Sequence, residues 1–467
     1  MNKIKFFKPV YVNDVDALIP EIWANESIAI LLENMVVANL VHRDFEDEIA
    51  DLGDVVNIDA PAAFVAKRKG VNDNVTIQDA TTTNVQVKLD QHFHVSFIIK
   101  DSESSKAFVD LVEKYLSPAL QAHAQAIDKV ILGQHINFMD NNAGGIGETT
   151  YANAVETLVD LRKVLNDTKC YTTGRNLIVG SALEATLLKD EGLREADKLG
   201  DDGSALREAS LGRKLGFNIF MCQNMSETTW DDTNTATALQ AAAAAGATEL
   251  NVKTVANIAV GDMLLVAGDM TPQVVTAVTN TSASGADTVT ISPGLRDAAA
   301  DNAVVTIYDA VAVDETVTIT TKTNSPGYDY FKIDGFTSGK YPQVGQQIKI
   351  GSYYYTIIDT DEFSDTQCDV LLDRPLEATV TDGDVATLYP AGNYGFAFHR
   401  NAIAFVSRPL AAPKKGVGAL SAVANYDGIG VRVVITYDGD KQGHLVTVDL
   451  LCGVKTLNTN LGAVLLG

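Results

Sequence analysis

The period of apolar and polar positions changes several times along this 467-residue chain, and the changes divide it into segments. Residues 20–51 place Ile22, Trp23, Ile28, Leu31, Leu32, Met35 and Val36 near helical spacing, which predicts a helix that Gly53 stops. From Asp54 the period becomes two. Val56 and Ile58, then Val75 and Ile77, then Val85, Val87 and Leu89, then Phe93, Val95 and Phe97 alternate as strands do, around a polar tip at 70–74. Two long extended arms facing each other have little apolar mass of their own, so this hairpin is stable only if something else packs on it.

Beyond Lys100 the helical period returns. Phe108, Leu111, Val112, Tyr115, Leu116, Ala119, Leu120, Ile127, Val130 and Ile131 form one stripe, with Asp101 or Ser102 as N-cap and Pro118 expected to bend the helix midway. Some 35 residues at 1.5 Å each make a rod of about 50 Å, long for a compact domain. After the loop "NNAGGIGE" an α/β pattern follows. It predicts a helix over 152–166, a strand "NLIVG" from Asn176, a helix opened by a capping box at Ser181 and Glu184, and a strand "FNIFMCQNM" from Phe217. Near the C-terminus a strand at 402–406 precedes a Pro/Lys/Gly loop, and two alternating strands turn at Asp438-Gly439.

Between these parts, residues 226–392 shift to Thr, Ala, Val and Asp and contain an internal repeat. The stretch from Asn251 lines up with the stretch from Phe331: Val260-Gly261 matches Val344-Gly345, Leu295 matches Leu376, and Tyr308 matches Tyr389, given a three-residue gap in a loop. Each copy reads as four or five short strands, which predicts two small β-barrels or sandwiches.

Charge sharpens that division. The chain carries a net −24, and residues 226–392 hold 23 acidic and seven basic side chains, a net of −16, which marks this third as a separate module. The overall sign argues against general nucleic-acid binding, which needs Lys and Arg to neutralise phosphates. A hydrophobic content of 46% with 21% charged residues describes a soluble globular chain. No apolar run reaches the ~20 residues of a membrane span, and the N-terminus lacks the apolar core of a signal peptide. A cytoplasmic site of synthesis is expected. Cys170, Cys222, Cys368 and Cys452 show no metal or disulfide spacing and read as reduced, buried thiols.

Several stretches imitate catalytic or binding motifs. His42-Arg43-Asp44 has the letters of a kinase catalytic loop, but Ile49 stands where the metal-binding Asn belongs, and no phosphate loop precedes it. "GFTSGKY" at 335–341 is one residue short of a phosphate loop and has Tyr in place of the hydroxyl that binds metal. His92 and His94 share a strand face at a spacing that can bind metal, yet no third ligand is placed with them. "DTDEFSDTQCD" at 359–369 lacks the Gly and the final Glu of a calcium loop. No catalytic constellation, cofactor site or metal site is assigned. The basic cluster Lys67-Arg68-Lys69 near the hairpin tip reads either as an ordinary solvated turn or as a contact for an acidic surface on a neighbouring copy.

The order of parts, with the phrases "NLVHRDFEDEIADLGDVVNI", "VKLDQHFHVSFIIKD", "LGRKLGFNIFMCQNM", "FHRNAIAFVSRPL" and "GIGVRVVITYD…VTVDLLCGVKTL", resembles the major capsid (coat) proteins of tailed bacteriophages. The resemblance covers about 20–225 and 393–467 and is closest to the short-tailed-phage branch with an inserted β domain. It implies an α+β, Hong Kong 97-like fold: N-terminal arm and helix (1–52), E-loop hairpin (53–100), spine helix of the peripheral domain (101–140) and axial domain (141–225). An inserted β module (226–392, repeats about 246–310 and 328–392) follows, then an axial return strand (393–413) and a peripheral return (414–467).

The function so implied is structural, not enzymatic: self-assembly, as hexamers and pentamers, into an icosahedral head shell around packaged double-stranded DNA, first as a procapsid that expands. Implied partners are further copies of the chain, a scaffolding protein, a portal, DNA on the inner face without sequence-specific binding, and a decoration protein, with no membrane. The implied location is the virion, after assembly in the bacterial host cytoplasm. Phe64, Lys67, Arg68, Lys69, Asn72 and Asp73 are the expected intersubunit contacts. No Lys–Asn–Glu arrangement for a covalent cross-link is evident, so a non-covalent shell is expected. The alternatives are a secreted or tail-associated β-rich adhesin, suggested by the tandem β units, and an enzyme built on the α/β part.

Overall fold

The computed structural model describes residues 35–43, 55–60, 66–69, 71, 74, 77, 83–100, 116–146, 153–194, 211–225, 236–256, 258–279, 287–308, 311–314, 330–334, 342, 344–351, 353–364, 367–373, 376, 378–381, 383–389, 392–413, 419–426 and 429–467. Residues 35–43 form turns instead of the helix their spacing predicts. The reason is local: backbone N–H groups of Val36, Val37 and Ala38 donate to the Asp128 carboxylate at 3.2, 3.1 and 3.4 Å, so donors a helix would use itself go to a distant side chain.

Strand β1 (Val55–Ala60) pairs antiparallel with β2 (Thr83–Lys88), Val55 lying opposite Lys88. The second half of the expected arm leaves the hairpin. Strand β3 (Gln91–Lys100) instead pairs along its length with Gly443–Cys452, so that Ile99 joins the main core and Phe93 and Phe97 pack against it.

Helix α1 (Ser117–Gly133) buries Ala119, Leu120, Ile127, Val130 and Ile131, as the stripe predicts, and also His123 and Asp128. Pro118 occupies its first described turn; the expected N-cap at 101–102 and the upstream half lie outside the described residues. A 3₁₀ turn (Gln134–Phe138) follows. Next come β4 (Asn142–Gly144), α2 (Ala154–Asp167), β5 (Arg175–Val179), α3 (Ser181–Lys189), α4 (Glu191–Arg194), β6 (Arg213–Lys214) and β7 (Phe217–Met221). The capping box does not form. Gly180 is the N-cap of α3, and no side chain caps that end.

After β7 the chain makes two tandem β units. The first contains β8 (Ala236–Ala238), β9 (Glu249–Val252), β10 (Met263–Val266), β11 (Gln273–Thr279), β12 (Asp287–Ser292) and β13 (Val304–Tyr308), in the order β8-β13-β10-β11-β12-β9. The second contains β14 (Val311–Asp314), β15 (Tyr330–Asp334), β16 (Gln347–Ile350), β17 (Tyr353–Ser364), β18 (Gln367–Leu372) and β19 (Val385–Leu388). Its order is the same, β14-β19-β16-β17-β18-β15, with β14 pairing β15 to close a barrel. In the first unit a Leu239–Val252 bridge and a bond from Lys253 N–H to Ala238 O (2.9 Å) join the corresponding outer strands.

The chain returns through β20 (Tyr394–His399), β21 (Ile403–Arg408), β22 (Ala419–Tyr426), β23 (Ile429–Asp438), β24 (Gly443–Thr456) and β25 (Gly462–Leu466). One sheet runs β4-β25-β20-β5-β7-β6. Helices α2 and α3 cover one face, where Leu158, Leu161 and Leu183 meet Leu177 and Leu465; Ile178, Phe396 and Val464 face the main core on the other. Burial on both faces explains the unbroken apolar runs of β25 and of residues 177–179 in β5. A second sheet, β21-β24-β23-β22 with β3 on β24, buries Phe405, Val431, Val433, Val446 and Val448 in the core cluster that also holds the α1 stripe.

Candidate functional site

Among the described residues the motif look-alikes do not assemble into chemistry. His42 is held by its backbone, its N–H donating to Ile403 O at 3.1 Å and its carbonyl accepting from Phe405 N–H at 2.9 Å; Asp44 and the 335–341 stretch lie outside the described residues. His92 and His94 are exposed on β3 with ring centroids 6.2 Å apart. Among the described residues no three His, Cys, Asp or Glu side chains could hold a metal ion. In the 359–369 stretch the backbone register of β17 and β18 sets position 361 opposite position 369. All four cysteines are buried and outside any disulfide, and burial pushes the Cys222 thiol up to about 11, which suppresses the nucleophilic thiolate.

What the fold does build is an arm and its anchor. Val87 of β2 is fully buried against Ala404 and Val406, on the face of the second sheet away from α1. Gly453 makes this seating possible, since a Cβ there would overlap the Lys88 carbonyl oxygen. Beyond the paired strands every described residue of the hairpin is exposed. Val71 is 100% and Ile77 87% accessible, and Lys67, Arg68 and Lys69 face solvent; Phe64, Asn72 and Asp73 lie outside the described residues.

A second anchor fixes the N-terminal segment. Asp128 is 1% exposed, and burial raises its carboxyl to about 6, a rise opposed by the three backbone N–H donors of residues 36–38. On the same stripe His123 Nε2 lies 3.1 Å from the Val448 carbonyl, tying α1 to β24.

Polar contacts and a close approach help to tie the β units down. Arg296 donates to Asn142 Oδ1 at 3.0 Å and to the Gly144 carbonyl, fastening the first unit to β4. Thr387 Oγ1 donates to Gly261 O at 2.6 Å, joining the second unit to the first. Gly133, at the end of α1, leaves room for Thr356 of β17. Sequence reasoning missed Asp128, Arg296 and Gly453. The one available signal for Asp128 was a carboxylate on an apolar helix stripe.

No protein-family model matches the chain, and no curated protein does. Solved structures similar to it include phage capsids. A structure from Mycobacterium phage Che8 matches at 15% identity over 92% of this chain and 90% of that one, with a TM-score of 0.46. The capsid structure of the cyanophage P-SCSP1u matches at 9% identity over 92% and 88%, TM-score 0.40. The mature capsid of bacteriophage PhiM1 matches at 9% identity over 89% and 82%, TM-score 0.39.

Proposed function

We propose that this chain is a capsid shell protein whose function resides in contacts between its own copies, of the tailed-phage, Hong Kong 97-like kind. The observation that carries the reading is the hairpin: its base is wedged against the body at Val87 and Gly453, while Val71 and Ile77 stand almost wholly in water. A two-stranded hairpin carries too little core of its own to be stable in water, so its exposed tip calls for another surface to pack on. In a shell that surface is a neighbouring copy. On this reading β1 and β2 begin the overlapping arm, α1 is the spine, the β4–β25 sheet is the axial domain, and the tandem β units are the insertion. DNA, scaffold, portal and decoration partners belong to the same proposal, as does the virion as its location.

Electron microscopy of the purified chain, alone and with a co-expressed scaffold, tests the reading. Shells, sheets or rings are expected; small monodisperse particles under every condition would refute it.

A further inference from the structure

A cleft of ≈ 760 Å³ opens where the hairpin base, the turn after α1, both β units and the end of β24 meet. Its volume falls within the range of roughly 300–1,000 Å³ common for ligand sites. Three lysines from three separate elements line it: Lys88 on β2, Lys349 on β16 and Lys455 on β24. The acidic side chains in its lining are Asp90 and Asp140, so the cleft reverses the sign of a chain with 60 acidic and 36 basic residues. Lys349 Nζ lies 5.4 Å from the centre of the Tyr354 ring, which places that ammonium over an aromatic wall. Gln86 adds a side-chain amide able to both donate and accept, and Asn137, whose N–H groups donate to Gln134 Oε1 and Thr456 Oγ1 at 3.1 Å each, adds a carbonyl oxygen able to accept from a peptide N–H.

We propose that this cleft binds an extended acidic peptide segment of a partner protein, its carboxylates meeting Lys88, Lys349 and Lys455 and its backbone meeting the flanking amides. Lysine ammonium groups act as point charges suited to single carboxylates, whereas the lining contains no arginine fork of the kind that reads phosphate. A nucleic acid would bring a dense line of charge towards a protein of net −24, and a whole second copy would bring another −24; a short segment brings only a few carboxylates. The proposal does not depend on shell formation.

Fluorescence anisotropy of a labelled hexaglutamate peptide with the full chain tests it. Saturable binding is expected, weakened by salt and absent for a hexaglutamine control. It should fall at least about tenfold in Lys88→Glu/Lys349→Glu/Lys455→Glu. The milder Lys88→Gln/Lys349→Gln/Lys455→Gln, with an unchanged circular dichroism spectrum, separates lost binding from lost folding. No binding, or binding that neither variant weakens, overturns the proposal. So does stronger capture of single-stranded oligothymidylate at the same lysines, or concentration-dependent self-association that the variants abolish.

Discussion

Asp128 gathers three backbone donors at the cost of burying a charge, and that balance makes it titrate near neutrality. Its carboxyl is raised from 3.8 to about 6, so its contribution to stability is full below about 4 and is lost as pH rises through 6. His135 works the other way: burial lowers it from 6.5 to about 4, so its contribution holds above 6.5 and is lost as pH falls towards 4. The two slopes oppose each other in one window. Asp128→Asn is therefore expected to leave the acid loss of His135 uncompensated, and urea midpoints at pH 7 and 4.5 should diverge more than in the wild type. Asp128→Ala leaves three donors unpaired and should cost about 3 kcal/mol at pH 7. Gly453→Ala should lower stability by about 1–3 kcal/mol, because the hairpin base must shift off the sheet. Faster amide exchange at residues 83–88 would report it, and unchanged exchange would show that the close approach does not matter.

At the scale of elements, the strands and helices with one clean period were legible in the sequence: the α1 stripe, β5, β7 and the β23–β24 hairpin. Three features were not. Residues 35–43 have helical spacing, but their N–H groups go to a side chain some 90 positions away. The alternation of Phe93, Val95 and Phe97 shows a strand without showing that its partner is β24. Ser181 and Glu184 have the letters of a capping box, yet the N-cap falls one residue earlier, at Gly180, so Ser181 is already the first helical residue.

The repeat was legible, and the structure adds what became of it. Gly261 and Gly345 both have positive φ, at 102° and 94°, and their N–H groups donate to Val275 and Ile357. The same outer face carries Met263, Leu265 and Val274 in the first unit but Gln347, Lys349 and Thr356 in the second. The apolar version joins the main core, while Thr356 of the polar one meets the end of α1. Each unit also has a core of its own. Residues 226–392 expressed alone should therefore fold cooperatively. The end of β7 and the start of β20 flank the same end of β5, about 10 Å apart by strand spacing. A short Gly/Ser linker can thus replace the module, and the shortened chain should fold but lose several kcal/mol, on the order of the apolar burial at Met263, Leu265 and Val274. Calorimetry of both fragments checks this; a module that stays unfolded would show that the main core is needed to order it.

For the whole molecule, charge decides how copies meet. With −24 on each chain, repulsion between copies reaches about 30 Å at 0.01 M salt and about 8 Å at 0.15 M, so assembly should quicken as salt rises over that range. The exposed Lys67, Arg68 and Lys69 are the local exception on the arm. If they meet an acidic face of a neighbour, Lys67→Glu/Arg68→Glu/Lys69→Glu should slow assembly most at low salt, with the deficit narrowing as screening removes the new repulsion. Lys189→Glu/Lys253→Glu/Lys441→Glu, at exposed positions away from the hairpin, makes the same change in net charge and separates a local contact from a global effect. Light scattering at several salt concentrations reads both variants. Equal slowing would assign the effect to net charge alone and make the tip cluster a solvated turn, whereas slowing confined to the tip variant would locate the contact there.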